Sequence, residues 1–264
     1  LLPTSVIIHL MQSVKNNSPI GVFDSGVGGL SILRAIREQL PDEKLLYFAD
    51  QGHVPYGPRS LEEVRAFSEA ITRFLLEQGA KIIVVACNTA SAAALLHLRK
   101  KFPEVPFVGM EPAVKPAAEH TNTGVVGVLA TPATFQGALY ASVVERFANG
   151  VTVLQDTCSG LVKQIEAGAL DTEFTRTILD DALRPMLDRG IDTVVLGCTH
   201  YPFVIPLIKQ IVGENVRVID PAPAVARQVE RRLDALNIRT AENLPASNQL
   251  FTSGDVKAFQ SMIR

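Results

Sequence analysis

Residues 81–91 read KIIVVACNTAS, and this stretch decides the fold. Its apolar run, Lys81–Ala86, is continuous rather than alternating and rich in β-branched side chains, as in a strand covered on both faces. Strands of that kind belong to parallel sheets, whose crossover connections lay helices on either side. At Cys87 the run meets a polar turn, Cys87-Asn88-Thr89, after which a small-residue helix is predicted over about 90–101.

The same rhythm extends in both directions. Ile20–Asp24 (IGVFD) reads as a strand ending in the glycine turn SGVGG, and i, i+3, i+4 apolar spacing predicts a helix over Leu30–Leu40 that Pro41 stops. Lys44–Ala49 is a second strand, and Ser60 with Glu63 forms a capping box for a helix to about Glu77. A strand at Val105–Met110 and a helix over about 112–120 follow. The second half continues with strand Thr123–Ala130, helix Phe135–Phe147, strand Val151–Gln155 and a helix around Gly160–Ala167. Next come a helix over Thr172–Arg189 interrupted by Pro185, strand Asp192–Leu196, helix Pro206–Val212, strand Val216–Asp220 and helix Ala222–Leu236. A strand QLFTS and a short helix close the chain. The alternation implies right-handed βαβ units and an α/β class, with about eight mainly parallel strands in one sheet or two.

Composition narrows the function. The 264 residues are 47% hydrophobic with a net charge of −2, which supports large cores and lacks the basic excess of a phosphate-contacting nucleic-acid binder. Three cysteines, Cys87, Cys158 and Cys198, are too few and too odd a number for a disulfide framework, so a reducing, cytoplasmic setting is expected. The most apolar stretch, Lys81 to Leu96, is broken by Asn88, Thr89 and Ser91 and does not read as a membrane span. The leader LLPTSVIIHLM lacks a basic n-region and a cleavage site; residues 1–10, ahead of Met11, are set aside from fold reasoning.

Ligands of open α/β sheets sit beyond the carboxyl ends of the strands, and here those ends carry the polar residues. Asp24-Ser25-Gly26-Val27-Gly28-Gly29 follows IGVF; its glycines suit positive-φ backbone and an anion held on N–H groups, or a plain turn with Asp24 as helix cap. It lacks the Gly-Lys-Ser/Thr of a phosphate loop and is too compressed for a dinucleotide fingerprint. Cys87-Asn88-Thr89 and Cys198-Thr199-His200 each place a cysteine where an apolar strand meets a polar turn opening a helix, which favours thiolate. One such cysteine would ordinarily be a buried filler; two in matching contexts suggest a loose internal duplication. Zinc ligation by Cys87, Cys198 and His200 lacks a C-x-x-C or H-x-x-x-H pair. A single thiol nucleophile with a histidine base leaves one cysteine unexplained. Two facing thiols can move a proton on and off one carbon from opposite sides.

Taken together and in order, DSGVGG, VPYGPR, VVACNTAS and VLGCTHYP closely resemble the glutamate racemase family, over about residues 18–256. The resemblance implies cofactor-independent interconversion of L-glutamate and D-glutamate, with D-glutamate destined for peptidoglycan. It implies two pseudo-symmetric α/β domains, one of residues 18–112 plus 224–264 and one of 113–223, with the active site in the cleft between them. Cys87 matches the thiol serving the D-enantiomer and Cys198 the one serving the L-enantiomer. Asp24 and His200 match the residues assisting them, and Asp24-Ser25, Tyr56-Gly57, Asn88-Thr89 and Thr199-His200 match the substrate-binding pairs. A homodimer is usual in the family, and UDP-N-acetylmuramoyl-L-alanine activates one branch of it; neither metal nor nucleic acid is implied.

Backbone N–H groups of the SGVGG and Asn88-Thr89 turns, with the Ser25 and Thr199 hydroxyls, can hold both substrate carboxylates without a salt bridge. Glu166 (in QIEAG), Asp50 (ending the second strand), and Thr131 and Thr134 (in ATPATF) are further pocket candidates. Cys158 reads as a non-catalytic cysteine. His53, His97 and His120 stand in no constellation, and Arg99-Lys100-Lys101 and Arg231-Arg232 suit helix C-termini. The remaining alternatives are a racemase of another small acid, such as aspartate or a hydantoin, and a non-catalytic acidic amino-acid binding protein.

Overall fold

The computed structural model describes residues 16–241 and 247–262; the set-aside residues 1–10 lie outside them. Two parallel sheets carry the fold, each flanked by helices on both faces. The first comprises β1 (Ile20–Asp24), β2 (Leu45–Ala49), β3 (Ile82–Val85), β4 (Phe107–Val108) and β9 (Asn248–Thr252), in the order β4-β3-β1-β2-β9. The second comprises β5 (Val125–Ala130), β6 (Thr152–Asp156), β7 (Thr193–Gly197) and β8 (Arg217–Ile219), in the order β6-β5-β7-β8. All pairings are parallel. Read from its other edge, the second sheet runs β8-β7-β5-β6, which is the β4-β3-β1-β2 pattern repeated. The internal duplication is therefore topological: Cys87 and Cys198 each follow the third strand of their own sheet.

The continuous apolar runs are doubly covered because their alternate side chains enter different cores. On the first sheet, Ile20, Val22, Ile82 and Val84 pack with α1 (Leu30–Gln39) and α10 (Ala222–Ala235). Phe23, Ile83 and Val85 face α2 (Leu61–Glu77) and α3 (Asn88–Lys101). On the second, Leu129, Val194 and Leu196 pack with α7 (Leu161–Glu166), α8 (Glu173–Leu187) and α9 (Ile205–Val212). Val126, Val128 and Val195 face α4 (Val114–His120) and α6 (Ala138–Phe147). The chain leaves the first sheet after β4, builds all of the second, and returns through α10 to add β9 and α11 (Val256–Met262).

Three elements differ from the sequence expectation. The strand expected over Val105–Met110 shrinks to Phe107–Val108, because Pro106 cannot donate to a ladder and the strand lies at the sheet edge. The helix expected over Phe135–Phe147 is two, α5 (Pro132–Gln136) and α6, parted at Gly137, where a Cβ would lie 2.6 Å from that of Ala92. Pro185 does not interrupt α8: it lies in the last turn, where a proline removes one intrahelical hydrogen bond just before the helix ends. The predicted capping box is present, with Ser60 and Glu63 bonded reciprocally at the start of α2.

Candidate active site

The carboxyl ends of β1, β3, β5 and β7 converge on one small, tightly closed cavity. Ser25, Tyr56, Gly57, Cys87, Asn88, Thr89, Thr131, Cys198, Thr199 and His200 line it, as do Pro55 and Val162. Cys87 comes from the first sheet and Cys198 from the second, and both are almost fully buried, at 4% and 5% exposure. Nearly every residue singled out from sequence thus reaches one place. Asp24, Asp50, Thr134 and Glu166 stand one layer behind this wall.

The two thiols have different neighbours. Cys87 is the N-cap of α3; its sulfur accepts the Ala90 N–H at 3.4 Å, and its S–H donates to the Ser25 hydroxyl oxygen at 3.8 Å. That N–H favours thiolate, but burial and the adjoining Asp24 carboxyl outweigh it and hold the Cys87 thiol well above its ordinary range. Cys198 has no such helix contact: a 3₁₀ turn, Tyr201–Val204, follows it before α9 begins. Its sulfur instead lies 3.8 Å from His200 Nδ1, while His200 Nε2 meets Glu166 Oε1 at 2.5 Å. Burial opposes charge on His200, but the bonds to Cys198 and Glu166 prevail and raise its pKa well above the ordinary imidazole range. Burial likewise raises Glu166, yet His200 and the N–H of Val27 bring it below the usual carboxylate range. Both shifts favour the charged partners, an imidazolium beside a carboxylate.

Asp24 is wholly buried, which raises its pKa against the lowering influence of His200 and of the Gly29 N–H. Its Oδ2 accepts from the N–H of Gly29 at 2.8 Å and of Gly26 at 3.4 Å, and Oδ1 from the Thr199 hydroxyl at 3.3 Å. Val27 N–H donates to Glu166 at 2.8 Å. The N–H groups of Gly26, Val27 and Gly29 therefore bind the protein's own carboxylates here, where the expectation was that the SGVGG turn holds substrate. Nor does any glycine of this turn have positive φ. Glycine is required there by close approach: a Cβ on Gly26 would run into Glu166, and one on Gly28 would lie 2.5 Å from His200 Nδ1. The turn is where the two halves meet.

Asn88 is buried, and neither its carboxamide oxygen nor its nitrogen has a hydrogen-bond partner. A buried amide in that condition is costly unless a ligand satisfies it. Thr89 and Thr131 pair across the halves at 2.8 Å, and Thr134 bonds Thr131 from behind at 3.0 Å. Tyr56 forms wall with its ring while its hydroxyl donates to Asp50 at 2.5 Å. His53, read as belonging to no constellation, in fact lies with Nδ1 2.9 Å from Asp50. Cys158 is buried and outside the cavity wall, with its N–H on Asp156 at 2.7 Å. His97 meets Glu69 on the surface of α2. Sequence reasoning missed Val162, which as an apolar helix residue looks like core, and Gln51, which bonds Glu166 at 3.2 Å. Position alone, next to Asp50 at a strand end, was its only signal. Among the described residues no group of three or more His, Cys, Asp or Glu side chains is placed to hold a metal ion. No helix among them is long and apolar enough to cross a membrane.

Over residues 20–229 the chain matches the family model described as Asp/Glu/Hydantoin racemase. A glutamate racemase of Roseiflexus sp. (strain RS-1) is 51% identical over 253 residues, covering 96% of this chain and 93% of the relative. The crystal structure of glutamate racemase from Francisella tularensis subsp. tularensis in complex with D-glutamate is similar with a TM-score of 0.82 and 30% identity, over 94% of this chain and 92% of that one. Escherichia coli glutamate racemase, in complex with L-glutamate and the activator UDP-MurNAc-Ala, has a TM-score of 0.81 and 35% identity, over 93% and 92%.

Proposed function

The chain belongs to the Asp/Glu/hydantoin racemase family, and we propose that it interconverts L-glutamate and D-glutamate by moving the Cα proton between two thiols. One observation carries the mechanism: a thiol from each sheet walls a single buried cavity that also holds an unpartnered carboxamide. Starting from L-glutamate, Cys198 as thiolate removes the Cα proton, and the Cys87 thiol delivers its own proton to the opposite face. The products are D-glutamate, a Cys198 thiol and a Cys87 thiolate; the reverse reaction exchanges the roles. The imidazolium of His200 supports the charge on Cys198, and Asp24 governs the proton on Cys87.

The Cα proton is weakly acidic, so charge developing toward the α-carboxylate needs donors already in place. The cavity wall contains neither lysine nor arginine; its unpartnered donor is the amide of Asn88, and the hydroxyls of Ser25, Thr89 and Thr199 can turn to substrate from their present partners, with the Tyr56-Gly57 backbone beside them. Such donors can be aimed at the charge that develops in the transition state, whereas binding both states equally would not raise kcat. D-glutamate made this way supplies peptidoglycan synthesis in the cytoplasm.

Residues 18–112 with 224–264, and residues 113–223, act as two domains that part to admit substrate, and the active form is a homodimer. UDP-N-acetylmuramoyl-L-alanine is its activator, in keeping with the E. coli relative. Light scattering with and without this compound, beside kcat at each concentration, tests both statements. The function itself is tested by proton NMR of L- and D-glutamate in D2O without added pyridoxal phosphate. Loss of the Cα signal from both enantiomers with decay of optical rotation is expected. Tight glutamate binding without exchange would establish a binding protein instead.

A further inference from the structure

The C-terminal segment lies some two hundred residues from Asp50 in sequence, yet its turn bonds Asp50 and Gln51, which lead to opposite walls of the active site. β9 pairs with β2 in parallel, and the register Ala49↔Thr252 brings Thr252-Ser253 beside Asp50-Gln51. The Ser253 hydroxyl donates to Asp50 Oδ1 at 2.5 Å and accepts the Gly52 N–H at 3.0 Å. Asp50 Oδ2 takes the hydroxyl of Tyr56, whose ring is cavity wall on the Cys87 side. The neighbouring Thr252 hydroxyl donates to Gln51 Oε1 at 3.2 Å. Gln51 Nε2 in turn donates to Glu166 Oε2 at 3.2 Å, and Glu166 Oε1 holds His200 on the Cys198 side.

We propose that Thr252, Ser253 and Gln51 are positioning residues for the racemase site, Ser253 acting through Asp50 on Tyr56 and Thr252 acting through Gln51 on Glu166. Neither Thr252 nor Ser253 lines the cavity. What recommends them is connectivity: two adjacent hydroxyls grip two adjacent residues, which lead to opposite walls. An amide is the fitting group at position 51, because it accepts from Thr252 with one atom and donates to a carboxylate with the other. Ser253 is itself exposed, so removing its hydroxyl leaves the hydrophobic cores untouched.

The kinetic part rests on the racemase reading; hydrogen exchange does not. L- and D-glutamate have equal free energies, so kcat/KM must be the same in both directions for every variant, and only kcat and KM separately carry information. Ser253→Ala is expected to raise KM for both enantiomers about 3–10-fold, the loss of one hydrogen bond in the support of Tyr56, with a smaller change in kcat. Ser253→Thr, which keeps the hydroxyl, restores the wild-type KM. Gln51→Ala and Thr252→Val lower kcat, because Glu166, and His200 with it, lose their lateral hold. A merely structural role would lower the thermal midpoint and leave these readouts unmoved. In parallel, amide exchange should quicken at Gly52 and His53 in Ser253→Ala, and at Val27 in Gln51→Ala. Unchanged KM together with unchanged exchange in Ser253→Ala would overturn the proposal. Wild-type protein that does not racemise glutamate would sink the functional reading, and the exchange data would still decide the brace.

Discussion

Cys87 and Cys198 hold equivalent places in their sheets but work in unlike surroundings. Burial and Asp24 keep the proton on Cys87, while Cys198 faces an imidazolium that Glu166 sustains. In the proposed two-thiol reaction one sulfur takes up a proton while the other gives one, so each enantiomer needs the opposite arrangement. Cys87→Ser and Cys198→Ser are each expected to lower racemisation by at least about 10²-fold, the contribution of a positioned acid or base. Each serine variant keeps one-way Cα proton exchange in D2O, and NMR with polarimetry reads the two apart. Glu166→Gln removes the anion that raises the His200 pKa, so the imidazolium is lost at lower pH. The alkaline limb of kcat/KM should move to lower pH equally in both directions. Stability follows the same sign. The raised His200 contributes stability fully present below its ordinary 6.5 and lost as pH rises through its folded value. The lowered Glu166 contributes stability present above 4.5 and lost as pH falls through its folded value. Urea denaturation across pH should therefore show a shoulder between these limits that Glu166→Gln flattens.

At the scale of elements, the β1–α1 turn does more than reverse the chain. Its glycines make room for Glu166 and His200, its N–H groups bind Asp24 and Glu166, and the Tyr47 hydroxyl fixes it through the Gly26 carbonyl at 2.7 Å. Gly28→Ala puts a methyl against the His200 ring, and a displacement of that size near reacting groups should lower kcat/KM by about 10²-fold while the far-ultraviolet circular dichroism is retained. The start of α2 is a contrasting case. Ser60→Ala breaks a capping box whose two side chains are exposed and outside the cavity wall, costing about 1 kcal/mol in urea denaturation with kcat unchanged. Both elements were legible from the residue pattern, but the use of the glycines was not. Spacing shows that side chains are absent, and only the packing of the second half shows what occupies their place.

The whole molecule is a repeated four-strand pattern, with the second copy inserted between β4 and α10 of the first. The first sheet must therefore be closed by segments from both ends of the chain. A buried ion pair helps to do this: Lys81 Nζ meets Glu43 Oε2 and the Asn16 carbonyl at 2.6 Å each, and Glu43 Oε1 accepts the Thr240 N–H at 2.8 Å. Both side chains are out of solvent, so Lys81→Met leaves an unneutralised carboxylate. It should cost about 3–5 kcal/mol in chemical denaturation. Lys81→Met combined with Glu43→Leu should recover part of that loss, because the uncompensated charge is then gone.

The amino-acid sequence by itself determined the α/β class, the strand ends that carry chemistry and the two cysteines in matching contexts. Strand periodicity and the residues at strand termini are local properties, written within five to fifteen positions. It also placed His200 and Glu166 among the candidates without showing that they touch. The division into two sheets, the return of β9 to β2, and the contact of SGVGG with Glu166 were decided by tertiary structure. So were the roles of Gln51, Ser253 and His53 around Asp50 and Glu166. Those contacts join residues as much as 203 positions apart, and hydrogen-bond partners at that separation leave no mark in local spacing. They arise because two cores, each specified by its own apolar pattern, dock with their polar strand ends facing one another.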